Sequence, residues 1–177
     1  MPLPSPLIFY PTLLWNIAMS KISPNRRWWD WVDEHVLLGA LPMKHHVSKL
    51  KAEGISAVIN TCREYPGPLQ RYGEAGIEQL YLPTIDFTPP TLEHVESGVE
   101  FIQRQIQSGR KTYVHCKAGR GRSATIVMCY LISKGYSAEE AQKHLLSRRP
   151  HVVSGLAKRQ VVLEYASKIK VGTVSTH

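Results

Sequence analysis

Residues 115–123 read His-Cys-Lys-Ala-Gly-Arg-Gly-Arg-Ser, a combination suited to binding and cleaving phosphate esters. Lys111-Thr112-Tyr113-Val114-His115 has the β-branched and aromatic content of a strand and leads directly into Cys116. Two glycines then let the chain curl before an apolar helical stretch begins at Ser123. A tight loop entering a helix turns successive backbone N–H groups inward as an anion nest, and the helix dipole adds partial positive charge there. A thiol at the base of such a nest is expected to ionise near neutral pH and act as a nucleophile. Arg122 can grip equatorial phosphoryl oxygens with a planar two-pronged contact. Lys117, Ala118, Gly119, Arg120, Gly121, Arg122 and Ser123 form the expected phosphate-binding set. Ser123 is placed to donate to the sulfur, and His115 is expected to orient the loop through hydrogen bonds rather than to transfer protons. The chemistry predicted is hydrolysis of phosphate monoesters through a cysteinyl-phosphate.

Other chemistries fit less well. A Walker loop closes a longer glycine loop with Lys-Ser or Lys-Thr, which is missing here. A papain-like protease has no use for the arginine, and a zinc site needs more Cys or His at suitable spacing. No metal and no cofactor are expected.

The departing alkoxide needs a proton, which a carboxylic acid on a neighbouring loop can supply. Asp86, in Leu82-Pro83-Thr84-Ile85-Asp86-Phe87-Thr88-Pro89-Pro90, follows a strand and sits among turn formers. It is the candidate acid towards the leaving group and then base towards water; the alternative is a turn aspartate. Asp30 and Asp33, beside tryptophans, are its competitors.

These residues need a scaffold. The 177 residues, 43% hydrophobic and 20% charged, suit one globular domain. Strands are predicted at 35–39, 57–60, 78–83 and 111–115. Helices are predicted at 47–53, 92–107 with Thr91 as cap, 123–134, after the capping box Ser137-Ala138-Glu139-Glu140, and at 156–169. The alternation predicts an α/β fold with a central, mostly parallel twisted sheet flanked by helices. Ligands bind beyond the carboxyl ends of strands in such sheets, where Cys116 lies.

Twenty-two Lys and Arg against 14 Asp and Glu give a net charge of +8, which favours anionic partners. An anionic phospholipid and a membrane surface are the expected partners, nucleic acid is not, and the chain is expected to be a monomer. Cys62, Cys116 and Cys129 make no paired secreted framework. Cys129, inside an apolar helix, reads as a small packed residue. Residues 1–30 form an apolar, aromatic arm, 31–170 the catalytic domain and 171–177 a tail. Residues 7–19 are too few to span a bilayer, which takes about twenty. With Lys21, Arg26, Arg27 and three tryptophans after them, they suit a lipid headgroup region or a cover packed on the domain.

The loop His115–Ser123 resembles the signature of the protein tyrosine and dual-specificity phosphatase superfamily. Three stretches resemble the mitochondrial dual-specificity phosphatases, the phosphatidylglycerophosphate phosphatases of the cardiolipin pathway. They are Phe9-Tyr10-Pro11-Thr12-Leu13-Leu14, the run from Trp29-Asp30 through Val32-Asp33-Glu34-His35-Val36-Leu37-Leu38-Gly39-Ala40-Leu41-Pro42, and Tyr113-Val114-His115-Cys116-Lys117-Ala118-Gly119-Arg120. The resemblance implies a dual-specificity-phosphatase-like fold and conversion of phosphatidylglycerophosphate to phosphatidylglycerol on the matrix face of the inner mitochondrial membrane, or else at another organellar or cytoplasmic membrane surface. Lys117 and Arg120 resemble the basic loop of phosphoinositide phosphatases. Cys62 stands where some of those enzymes place a cysteine that forms a disulfide with the nucleophile. Cys62-Arg63-Glu64-Tyr65-Pro66 departs from the family's usual Asn-Glu-x-Tyr-Glu, in a segment expected to border the cleft. The competing readings are a phosphoinositide or phosphoprotein (Tyr/Ser/Thr) phosphatase and a phosphate-binding module without turnover.

Overall fold

The computed structural model describes Leu14 and residues 27–174, with side chains to residue 170. Apart from Leu14, the arm before Arg27 lies outside the described residues, as do residues 175–177. Five strands, β1 (Trp29–Trp31), β2 (Val36–Gly39), β3 (Ile55–Cys62), β4 (Glu78–Thr84) and β5 (Lys111–His115), form one sheet in the order β1-β2-β5-β3-β4. Only β1 runs antiparallel; the rest of the sheet is parallel, as the alternating pattern predicted.

Alternation along the strands divides the core in two. Leu38, Ala57, Ile59 and Val114 face helices α3 (Leu92–Gln107), α4 (Arg122–Ser133), α5 (Ala138–Arg148) and α6 (Gln160–Val174). Leu37, Val58 and Tyr113 face the other way, against α1 (Val47–Ala52) and α2 (Leu69–Ala75). Successive side chains of a strand point to opposite faces, so a strand covered on both sides is apolar throughout. Helix α4 lies deepest, with every residue from Arg122 to Ile132 buried. Truncating Ile126 to Ala there is expected to cost about 2–5 kcal/mol.

The predicted caps are present. Thr91 Oγ1 accepts from His94 N at 3.2 Å, while Ser137 and Glu140 exchange the two bonds of a capping box. Three elements differ from the prediction. The strand β1 starts at Trp29, inside the stretch assigned to the arm, because Ala40 N donates to Trp28 O and the Trp28 indole donates to Leu41 O. Helix α2, between Pro68 and Gly76, was not predicted; only Tyr72 of it is buried, too little to leave a periodic signal. The last predicted helix, 156–169, is two pieces: a 3-10 turn Leu156–Lys158, then Arg159 in extended backbone, then α6. The break is held by the Arg159 side chain, which donates to Thr125 Oγ1 at 2.7 Å.

Candidate active site

β5 ends at His115, flanked in register by Gly39 of β2 and Asn60 of β3. α4 begins at Arg122, so residues 116–121 cross the carboxyl end of the sheet in one short loop. Buried carbonyls need donors, and here five consecutive ones find them on the outside of the loop. Lys117 O accepts from Leu41 N, Arg120 O from Val153 N, and Gly121 O from Thr125 N. Ala118 O and Gly119 O both accept from the Arg149 guanidinium, at 3.1 and 2.9 Å. With the carbonyls held outward, the N–H groups face the centre, and Gly119 N lies 3.2 Å from Cys116 Sγ. Gly119 is required: its φ is +65°, and a methyl group there would collide with the backbone of Gly39.

Cys116 is buried at the base of this ring. Burial by itself would raise its pKa, but the Arg122 charge, a hydrogen bond from Ser123 Oγ at 3.2 Å and backbone N–H contacts bring it down to about 7. Arg122 donates to both carboxylate oxygens of Glu64, at 2.7 and 2.8 Å, and to Thr84 O at 2.8 Å, and it lies 3.0 Å from Asp86 Oδ1. Its planar fork is fixed before any phosphate arrives. Asp86, on the loop after β4, also pairs with Lys117. The Lys117 ammonium sits 5.5 Å from the centre of the Phe87 ring, and Phe87 takes a φ of +64°. Asp86, Phe87, Cys116, Lys117, Arg120 and Arg122 line a cavity of about 410 Å³. Among the described residues no cluster of three or more His, Cys, Asp or Glu side chains is arranged to hold a metal ion.

The predicted site residues therefore converge: Cys116, Arg122, Asp86 and most of the loop line one cavity, and Ser123 lies buried behind it, bonded to the sulfur. Asp30 and Asp33 do not reach it. Asp30 pairs with Arg149 at 2.6 Å, and Asp33 accepts from His35 N and Val36 N and from Tyr130 and Lys134. Cys62 packs with Leu41, Tyr65 and Cys116 in one small apolar cluster, and burial pushes its thiol up. Cys129 is the packed residue it was read as, raised by burial to about 12.

His115 meets the expectation in part. Its ring is fully buried and stacks on Tyr113 at 5.6 Å; its nitrogens make no hydrogen bond of full geometry to a described residue, and a weaker backbone hydrogen bond ties the ring to Cys116. Burial lowers its pKa to about 3, so the ring stays uncharged. It holds the loop by packing and by that contact with Cys116, while its carbonyl accepts from Thr61 Oγ1 at 2.9 Å.

Two residues of the machinery were not predicted. Glu64, which clamps Arg122, lies in the departing segment 62–66, where no motif marks it. Arg149 is almost wholly buried and follows a surface helix; only its contacts with Asp30 and with the loop carbonyls reveal it.

A phosphate-sized nest with an ionisable sulfur at its base and a clamped arginine at its edge, on a parallel sheet of this order, defines a cysteine-dependent phosphatase. Residues 36–168 match the family model "Dual specificity phosphatase, catalytic domain". The chain is 40% identical to phosphatidylglycerophosphate phosphatase PTPMT2 of Arabidopsis thaliana, over 90% of this chain and 72% of that protein. It is 37% identical to mouse phosphatidylglycerophosphatase and protein-tyrosine phosphatase 1, over 92% and 90%. The crystal structure of PTPMT1 in complex with PI(5)P superposes with a TM-score of 0.76 at 37% identity, covering 83% of this chain and 99% of that one. The chain belongs to the dual-specificity phosphatase family.

Proposed function

We propose that this phosphatase converts phosphatidylglycerophosphate to phosphatidylglycerol at a membrane surface, and that it serves cardiolipin synthesis on the matrix face of the inner mitochondrial membrane. The mechanism rests on one observation: five outward carbonyls leave the loop's amides facing Cys116. The Cys116 thiolate attacks phosphorus, forming the P–S bond as the P–O bond to the lipid breaks. The bound phosphate takes over the contacts of Arg122 and Lys117 with Asp86, and Asp86, having then taken a proton from solvent, gives it to the leaving alkoxide. Asp86 then takes a proton from water as that water attacks phosphorus, and the P–S bond breaks to a thiolate stabilised by Ser123 and the loop amides.

The substrate assignment is supported by the names of the relatives and by the cationic cavity. Its mouth carries Phe87, 80% exposed, with exposed Ile85 two residues before it, an apolar lip of the kind that enters a lipid interface. A second reading, a phosphoinositide phosphatase, is favoured by the relative seen with PI(5)P. Proximity in the small apolar cluster supports a reversible Cys62–Cys116 disulfide, which would guard the nucleophile from deeper oxidation.

Purified protein assayed side by side on phosphatidylglycerophosphate, phosphoinositides and phosphopeptides is expected to give its highest kcat/KM on the first. A higher value on phosphopeptides would remove the lipid assignment. Cys116→Ser is expected to abolish turnover and retain phosphate binding. After mild peroxide, peptide mapping is expected to find Cys62 joined to Cys116; Cys116 recovered only as sulfinic or sulfonic acid would remove the disulfide.

A further inference from the structure

The charges around the cavity do not cancel. Arg122 is matched by Glu64 and Asp86, and Lys117 by Asp86. Arg120 and Arg159 also line the cavity, and among the described residues neither has a carboxylate at ion-pair distance. Their partners are neutral. Arg120 Nε donates to His151 O at 2.7 Å. Arg159 Nη1 donates to Thr125 Oγ1 at 2.7 Å and to Gly121 O at 3.4 Å. Such contacts fix the direction of a guanidinium without neutralising it. Arg159 Nη2 lies against the end of the phosphate loop, where a methyl group on Gly121 would stand 3.5 Å from it and 4.0 Å from Val153. The extended backbone at Arg159 interrupts what would otherwise be one helix, and the interruption is where this side chain joins the cavity wall. Burial draws its pKa down and Cys116 draws it up. A half-buried guanidinium held without a counter-ion is costly unless an anion completes it.

We propose that Arg159, together with Arg120, forms a second anion subsite beside the phosphate loop, which takes the second phosphoryl group of a substrate bearing two. The ester being cleaved occupies Cys116 and Arg122; the other phosphate, a phosphodiester in a glycerophospholipid or a free phosphate in a soluble bisphosphate, occupies the two arginines. This rests on the phosphatase reading above and sharpens it: the enzyme recognises a pair of phosphates separated by a short polyol. Planar guanidinia suit phosphate oxygens, and a charge-assisted contact in a sheltered site is worth about tenfold or more in affinity.

The test is competitive inhibition of aryl phosphate hydrolysis by inorganic phosphate and by glycerol bisphosphate, in the wild type, Arg159→Gln and Arg159→Lys. The readout is the ratio of the two inhibition constants. The wild type is expected to prefer the bisphosphate by about tenfold, Arg159→Gln to lose most of that preference, and Arg159→Lys to keep part of it. If Arg159 acts only by bracing Thr125 and Gly121, both inhibitors weaken together and the ratio holds, which overturns the subsite. No bisphosphate preference in the wild type overturns it as well. Turnover of phosphatidylglycerophosphate, measured in parallel, separates the two claims. A wild type that ignores the lipid but keeps an Arg159-dependent preference loses the lipid assignment and keeps the subsite, with soluble bisphosphates as its ligands. Lipid turnover with an unchanged ratio in Arg159→Gln does the reverse.

Discussion

At the scale of single residues, the proposed mechanism makes the sulfur of Cys116 decide the pH dependence. Burial opposes ionisation, and the Arg122 charge with the Ser123 and backbone contacts outweighs it, placing the thiol at about 7. Below that pH the sulfur carries its proton and attack on phosphorus stops; above it the thiolate persists. Alkylation by iodoacetamide is therefore expected to titrate with a midpoint near 7. Ser123→Ala removes a bond made to the charged form and is expected to move the midpoint upward by about half a unit to one unit. A midpoint unchanged in that variant would separate Ser123 from the sulfur. His115 stays neutral throughout this range and contributes no limb to the profile. Asp86→Ala is expected to lower kcat on lipid substrates by about 10²–10⁴ and on activated aryl phosphates by much less, since good leaving groups need little protonation. Equal losses on both would remove Asp86 from proton transfer.

At the scale of elements, the phosphate loop depends on partners far away in sequence. Arg149, at the end of α5, joins two loop carbonyls to β1 and its approach. It donates to Ala118 O and Gly119 O on one side and to Arg27 O, Trp28 O and Asp30 on the other. The edge strand and the catalytic loop are one mechanical unit. Asp30→Ala strands a buried guanidinium and is expected to cost about 3–5 kcal/mol in denaturant unfolding. Arg149→Met removes both donors from the loop and is expected to raise the Cys116 alkylation midpoint and lower kcat, even at temperatures where the variant remains folded. A folded Arg149→Met with the wild-type midpoint would show that the loop holds its shape unaided.

At the scale of the whole molecule, the cationic cavity and its apolar lip share the loop that carries Asp86. Among the described residues no helix is long and apolar enough to cross a bilayer; the membrane contact proposed here is the one made by the lip and the net charge. Phe87→Ser is expected to reduce co-sedimentation with vesicles containing anionic lipid, and added salt to reduce it in wild type and variant alike through the net charge of +8. Vesicle binding that depends on salt alone would assign the contact to charge and leave the lip out. Much of this architecture was legible in the chain. The strand before Cys116, the glycines, Arg122 and the apolar helix after it are contiguous, and local conformation follows from contiguous residue types. That is why the loop, the capped helices and the parallel sheet were predicted, and why Asp86 could be proposed from its place after a strand. Glu64, Arg149 and Arg159 were not legible, because each acts through a hydrogen bond across thirty positions or more, and nothing in its neighbours' types announces the partner. The sequence by itself determined the proposed nucleophile and the nest around it, since backbone amides at a helix start need only the right local turns. Only the tertiary structure decided what clamps the arginine, what turns the carbonyls away and which cations have no counter-ion among the described residues, because charge pairing depends on which distant side chains the packed core brings together.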